Sequence, residues 1–153
     1  MHPTDGSHFA YVTYIRATAD KVWHALTEPS LVRRYWFGAV VECAWTRGSP
    51  WKMSQADGSL MDAGEVVEID APRRLVIRWQ NEWNPEFKAE GLSRCTVELE
   101  PVDTAVKLAV THEIGRPLSG FIAAVSSAWP MTLSNLKSLL ETGEVVLTRH
   151  PGH

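Results

Sequence analysis

The stretch from Arg116 to Gly143 constrains this chain's fold more than any other. From Phe121 onwards, Ile122, Val125, Trp129, Leu133, Leu136 and Leu140 recur every three or four residues. That spacing lays side chains along one stripe of an α-helix. Lys137 falls in the closing turns, and Gly143 stands where a left-handed residue ends a helix. A continuous helix of about 26 residues would reach about 39 Å, enough to cross a small domain. Pro130 interrupts it, and two readings are open. A new helix starts near Trp129 with proline in its first turn, or one helix runs through with a kink, Ser126 and Ser127 serving the freed carbonyls. The stripe stays in phase across the proline, which favours the kinked helix.

An apolar stripe of that length must be covered, and the preceding hundred residues are mostly strand-like. Phe9, Tyr11, Thr13 and Ile15 alternate with Ala10, Val12, Tyr14 and Arg16, a pattern rich in β-formers. Thr18 is an N-cap candidate, with Asp20 in the first turn and Val22, Trp23 and Leu26 on the inner stripe of a short helix ending at Glu28-Pro29. A second short helix runs from about Ser30 to Trp36, and Gly38 ends it. Strands then follow: Val41, Cys43 and Trp45; Trp51 and Met53; Gly64 to Asp70; Leu75, Ile77 and Trp79; Cys95, Val97 and Leu99; Val106, Leu108, Val110 and His112. Arg47-Gly48-Ser49, Ala56-Asp57-Gly58, Ala71-Pro72-Arg73-Arg74 and Pro101-Val102-Asp103 supply the turns. Asn81 to Gly91 has no clean period and reads as a loop.

Consecutive strands at hairpin spacing predict an antiparallel sheet with one apolar face, covered by helix: an α+β sandwich. A twisted sheet curling round a long helix leaves room for a pocket between them.

With 44% apolar and 22% charged residues, the 153-residue chain has the balance of a soluble globular protein. A net charge of -3 without a basic run argues against a nucleic-acid footprint, and Arg33-Arg34 and Arg73-Arg74 read as solvated ends. No apolar run approaches the roughly 20 residues that span a bilayer, and no signal peptide is expected before Phe9. Cys43 and Cys95 lie far from metal-type spacing and are expected to be reduced, small hydrophobic residues. The expected location is cytoplasmic. Seven tryptophans are the compositional oddity, serving either a ligand cavity or the core.

The order and spacing of several segments resemble a known family. Phe9 to Ile15, then Ala17-Thr18-Ala19-Asp20-Lys21-Val22-Trp23-His24-Ala25-Leu26-Thr27 and Tyr35-Trp36-Phe37-Gly38, resemble the opening of the family related to the activator of heat-shock-protein-90 ATPase. Gly64-Glu65-Val66-Val67-Glu68-Ile69-Asp70-Ala71-Pro72, with Leu75 and Trp79, is similar to its middle strands. Trp129-Pro130 with Leu133, Leu136 and Leu140 is similar to its closing helix. The resemblance spans nearly the whole chain and implies the START-like, birch-pollen-allergen-like (SRPBCC) superfamily. The fold it implies is α+β of helix-grip type. A curved antiparallel sheet of about six to seven strands wraps around the long C-terminal helix, with two short helices after the first strand. One such domain would cover residues 1–153, with 1–7 and 144–153 as flexible or extended tails. Members of that superfamily include lipid carriers, hormone receptors, polyketide cyclases and co-chaperone domains, so the resemblance informs fold more than activity.

No catalytic constellation stands out. There is no Gly-rich phosphate loop, no His-x-x-x-His, no metal-type Cys pair and no Gly-x-Ser-x-Gly elbow, and neither Ser49 nor Ser93 has a base adjacent in sequence. No metal or cofactor is expected. His112 alternates with Val106, Leu108 and Val110, which aims it at the cavity near its mouth, either as acid/base or ligand partner or as a strand-end histidine bonded to backbone. Glu65 and Glu68 have an ambiguous facing, with solvent the safer assignment. The expected ligand-binding residues are Trp36, Phe37, Trp51, Met53, Trp79, Val97, Leu108, Val110, His112, Phe121, Trp129 and Leu133. They either wall an apolar pocket or fill the space completely. Trp83 reads as a lid or a surface aromatic.

The sequence therefore predicts a domain holding an apolar, aromatic or lipid-like small molecule. The alternatives are a cyclase- or hydrolase-type enzyme using the same cavity through His112, and a stress-response partner of a chaperone. Neither membrane nor nucleic acid is an expected partner, and the state is a monomer or a homodimer.

Overall fold

Local chemistry sets where each element begins and ends in the computed structural model, which describes residues 6–149. The order is β1 (Ser7–Ile15), α1 (Ala19–Thr27), α2 (Pro29–Tyr35), β2 (Val40–Cys43), β3 (Pro50–Ser54), β4 (Leu60–Asp70), β5 (Arg74–Asn81), α3 (Pro85–Glu90), β6 (Ser93–Val102), β7 (Ala105–Ile114) and α4 (Gly120–Thr142). Thr18 caps α1 by accepting from the Lys21 N–H at 3.2 Å, and Glu28 caps α2 by accepting from Ser30 at 3.3 Å. Both satisfy amide donors that a first helical turn leaves unpaired.

The segment expected to be a plain loop, Asn81 to Gly91, contains α3. Asn84 caps it by accepting from Glu86 and Phe87, and Pro85 occupies the first turn. Six residues are too few to display an apolar period, so cap chemistry was the one available signal. The strand expected from Gly64 starts earlier, at Leu60, because the turn at Asp57-Gly58 brings β3 and β4 into register from its edges.

All neighbouring strands pair antiparallel, in the order β1-β7-β6-β5-β4-β3-β2. A bulge between Val66 and Glu68 breaks the alternation of β4, so Asp62, Gly64 and Val66 face inward before it and Ile69 after it. That bulge made Glu65 and Glu68 ambiguous in sequence. Both lie on the outer face, where Glu65 pairs with Arg78 at 3.0 Å and Glu68 with Arg74 at 3.0 Å. Such exposed pairs contribute little stability. At Gly64 the sheet bends so closely onto β5 that an added Cβ would lie 1.6 Å from the Arg78 carbonyl oxygen.

Helix α4 lies against the inner face as one continuous helix with Pro130 inside it. Ser119 caps it by accepting from Ile122 at 3.0 Å, and the Glu90 carboxylate of α3 accepts from Gly120 at 3.0 Å. A carboxylate there also suits the positive end of the helix dipole. Near Pro130 the Ser126 hydroxyl donates back to the Ala123 carbonyl at 2.6 Å. Gly143 closes the helix in the left-handed conformation, at φ 86°. Trp129, Leu133, Leu136 and Leu139 are buried against Leu75, Val97, Leu108 and Val110 within one core. Lys137 donates to the Tyr14 carbonyl and Glu141 accepts from the Arg16 amide at 2.8 Å, so the end of α4 engages the edge strand β1.

Asn135, fully buried, anchors the segment after α4. Its Oδ1 accepts from Val146 and Leu147 at 3.0 and 2.8 Å, and its Nδ2 donates to the carbonyls of Leu147 and Tyr35. Residues 1–5 and 150–153, the outer parts of the expected tails, lie outside the described residues.

Truncating Leu136, which is 0% exposed, should leave a cavity costing about 2–5 kcal/mol, read as a lower urea midpoint. Gly64→Ala should cost about 3 kcal/mol or more by forcing β4 off β5. An unchanged midpoint for Gly64→Ala would show that the two strands separate freely there.

Candidate functional site

Four tryptophans from four places in the chain meet between helix and sheet. Trp36 ends α2, Trp51 and Trp79 point inward from β3 and β5, and Trp129 comes from α4. Ring centroids are 4.4 Å apart for Trp51 and Trp79, 5.1 Å for Trp36 and Trp129, and 6.0 Å for Trp79 and Trp129. Trp36, Trp79 and Trp129 form a partition with a space on either side. The inner space, bounded also by Trp51, Met53, Val97, Leu108, Val110 and Leu133, measures about 40 Å³. It is essentially filled by side chains. On the other side lies a cleft of about 170 Å³, open to solvent, walled by Met61, Phe87, Phe121, Val125 and Ala128 as well as the tryptophans. An apolar cavity of about 150 Å³ is enough for benzene, so the cleft has room for one aromatic ring and the inner space does not.

Behind the partition, His112 is 0% exposed. The Trp129 indole Nε1–H donates to its Nδ1 at 3.2 Å, and Ser93 Oγ lies 2.9 Å from its Nε2. Ser93 Oγ donates in turn to the Trp79 carbonyl at 2.8 Å. These directions assign the proton to Nε2, giving a neutral imidazole that donates to the serine oxygen. Burial pushes the imidazole pKa down to about 3, consistent with that neutral form. Neither nitrogen is left to take a proton from a substrate in this arrangement.

The polar end of the cleft is built by Asp62, Asn81 and Thr132. Asp62 is 8% exposed, and Asn81 Nδ2 donates to its Oδ1 at 3.2 Å. Burial, with the nearby Glu82 charge adding to it, pushes its carboxyl pKa up to about 6, against the pull of Trp79 and Asn81. The Trp79 indole N–H faces this carboxylate but reaches hydrogen-bond geometry with no described atom. Glu82 is held below the usual carboxylate range by Gln80 and by Lys88 at 3.2 Å.

Of the residues expected at the site, Trp36, Trp51, Met53, Trp79, Val97, Leu108, Val110, Trp129 and Leu133 bound the inner space, and Phe121 bounds the cleft. Phe37 borders neither. Helix α2 ends at Tyr35, and the chain leaves the helical stripe through Phe37 and Gly38, both at positive φ. His112, expected near the mouth, is buried behind the rings of Trp79 and Phe121, whose centroids lie 5.0 and 5.2 Å away. Ser93 does have a base beside it after all, because β6–β7 pairing closes a gap of 19 residues. Sequence reading missed Asp62, since it began β4 at Gly64, and Asn81, since it opened the loop there rather than ending β5 with it. An aspartate two and four residues before inward-facing Gly64 and Val66 was the signal available. Trp83 stands 58% exposed at the surface.

Burial pushes the Cys95 thiol pKa up, leaving a buried free thiol, and Cys43 is also free. Among the described residues no group of three or more His, Cys, Asp or Glu side chains could hold a metal ion. No helix there is long and apolar enough to cross a membrane.

A family model described as "Activator of Hsp90 ATPase homolog 1-like protein" matches residues 16–141. No curated protein matches the chain. Among solved structures, protein MLL2253 from Mesorhizobium loti is similar at 21% identity and a TM-score of 0.77, over 91% of this chain and 100% of that one. The Aha1 dimer from Colwellia psychrerythraea matches at 20% identity and TM-score 0.73, over 90% and 98% of the two chains. PFC0360w, an HSP90 activator from Plasmodium falciparum, matches at 24% identity and TM-score 0.71, over 88% and 96%. At these identities the likeness concerns the fold alone.

Two substitutions check the polar groups. Trp129→Phe leaves the buried His112 Nδ1 without its donor and should cost about 1–3 kcal/mol in urea unfolding. Asp62→Asn tests the carboxyl. Because the fold prefers the acid form, the penalty is absent below about pH 3.8, grows through the window up to about pH 6, and is constant above it. At about 1.4 kcal/mol per pKa unit, the variant should exceed the parent by about 2–3 kcal/mol at pH 7 and equal it below pH 4. A difference that does not change with pH would refute the buried-acid account.

Proposed function

The chain belongs to the Activator of Hsp90 ATPase homolog 1-like family, and from that premise we propose that it is a small-molecule-binding domain for an apolar or aromatic ligand. One observation carries the reading: a solvent-open cleft of about 170 Å³ between helix and sheet, lined by Trp36, Trp79, Phe121 and Trp129. Apolar walls with few polar groups are the usual make-up of a ligand site. Large aromatic surfaces left facing a cleft gain by excluding water when a ring fills it. The inner space of about 40 Å³ adds no volume unless the tryptophan partition moves, so the ligand's apolar body is a single ring system.

The family supports a second reading, in which the domain docks on an Hsp90-type chaperone. The centre of the outer sheet face carries the ion pairs of Arg74 and Arg78 rather than an apolar patch, so a partner there would be met through charge. Binding to a chaperone middle domain that weakens with salt would support it.

Naphthalene is a suitable uncharged probe, because one ring fits the cleft and the fused second ring can extend through its open mouth. It should shift the indole N–H resonances of Trp36, Trp79 and Trp129 at one-to-one stoichiometry. Ala128→Phe, which fills the cleft from α4, should weaken it at least about tenfold, the scale of 1.4 kcal/mol of lost contact. No shift at saturating naphthalene would end the ligand-binding reading.

A further inference from the structure

The polar end of the cleft narrows the ligand class. Asp62 is a carboxylate 8% exposed, and Asn81 is its one side-chain donor at hydrogen-bond geometry among the described residues. Trp79 Nε1 faces it and steadies its charge from outside hydrogen-bond geometry, with no other partner of its own among the described residues. A buried carboxylate with one neutral partner is costly unless a cation or further donors complete it. The remaining walls are aromatic faces, which attract cations through their ring quadrupoles. We propose that the cleft binds a small arylalkylamine in its ammonium form, the ring held among Trp36, Trp79 and Phe121 and the ammonium donating to Asp62. This rests on the reading that the cleft admits a small molecule.

The charges around Asp62 fit such a guest. Glu82, just after β5, adds negative potential but is itself held by Lys88 of α3. Helix α4 presents Ala128, Trp129 and Thr132 to the cleft, none of them titratable, and β3 places Met53 opposite Asp62. His112 lies behind Trp79 and stays neutral. Asp62 is thus the group in the cleft that titrates between pH 5 and 7, while an alkylammonium stays charged throughout.

The test is calorimetric titration of the full chain with phenethylamine, 2-phenylethanol, phenylacetamide and phenylacetate between pH 5 and 8. Phenethylamine should bind about ten- to hundredfold tighter than 2-phenylethanol at pH 7.5, the scale of one charge-assisted hydrogen bond. Its affinity should fall as pH drops below 6, when Asp62 takes up a proton, and phenylacetate should bind worst. Asp62→Asn should remove both the preference and the pH slope. Its urea midpoint should stay at or above the parent's at pH 7, which separates loss of the anchor from loss of the fold. Equal affinities for amine and alcohol, with naphthalene still bound, would overturn the ammonium assignment and spare the cleft. Tighter binding of phenylacetamide, or amine affinity rising at low pH, would overturn it in favour of a neutral hydrogen-bonding guest. No binding by any probe would remove both readings.

Discussion

Helix and sheet are joined at depth by one directional chain of hydrogen bonds, from the Trp129 indole to His112, from His112 to Ser93, and from Ser93 to the Trp79 carbonyl. It links α4, β7, β6 and β5 through a largely apolar core. In such surroundings a satisfied polar network fixes one arrangement, because any shift strands a donor or acceptor without water to replace its partner. The apolar stripe of α4 supplies the driving force for packing but is non-directional. The histidine chain adds the direction, fixing the rotation and height at which Trp129 meets the sheet.

The tryptophan partition follows from that constraint. With Trp129 fixed, Trp36 and Trp79 close around it, the space on the sheet side is filled, and the unoccupied volume lies towards Phe121 and α3. Helix α3 holds that side in place, with Phe87 edge-on to Phe121 at 6.0 Å and Glu90 on the first amides of α4. The same tryptophans therefore pack the core on one face and wall the candidate site on the other. Core and site were rival readings of these residues. The cluster has a filled space on one face and an open cleft on the other.

Two buried titratable groups, each beside Trp79, have opposite characters. His112 is held neutral by burial and fully partnered, so it acts as a structural pin. Asp62 is also buried, but it is under-partnered and borders an open cleft. Sequence position favoured the histidine as the chemical group, since it alternated with apolar residues on a clear strand. What separates the two is access: the histidine has none, and the aspartate faces the volume where a guest would sit.

The sequence by itself determined the α+β class, the antiparallel meander and the long terminal helix with its left-handed glycine end, because those features rest on local periodicity and cap chemistry. It placed Trp79, Leu108, Val110, Trp129 and Leu133 inward for the same reason, since strand alternation and helical spacing fix facing within one element. Only tertiary structure decided that Ser93 meets His112, that Glu90 caps α4 and that Asp62 borders the cleft. Those partners lie 19 to 30 residues apart along the chain or face volumes that no single element defines. The bulge in β4 lies beyond Asp62 and obscured only the facing of Glu65 and Glu68. Facing is a local property of the backbone, whereas partnership and empty volume arise only when several elements converge.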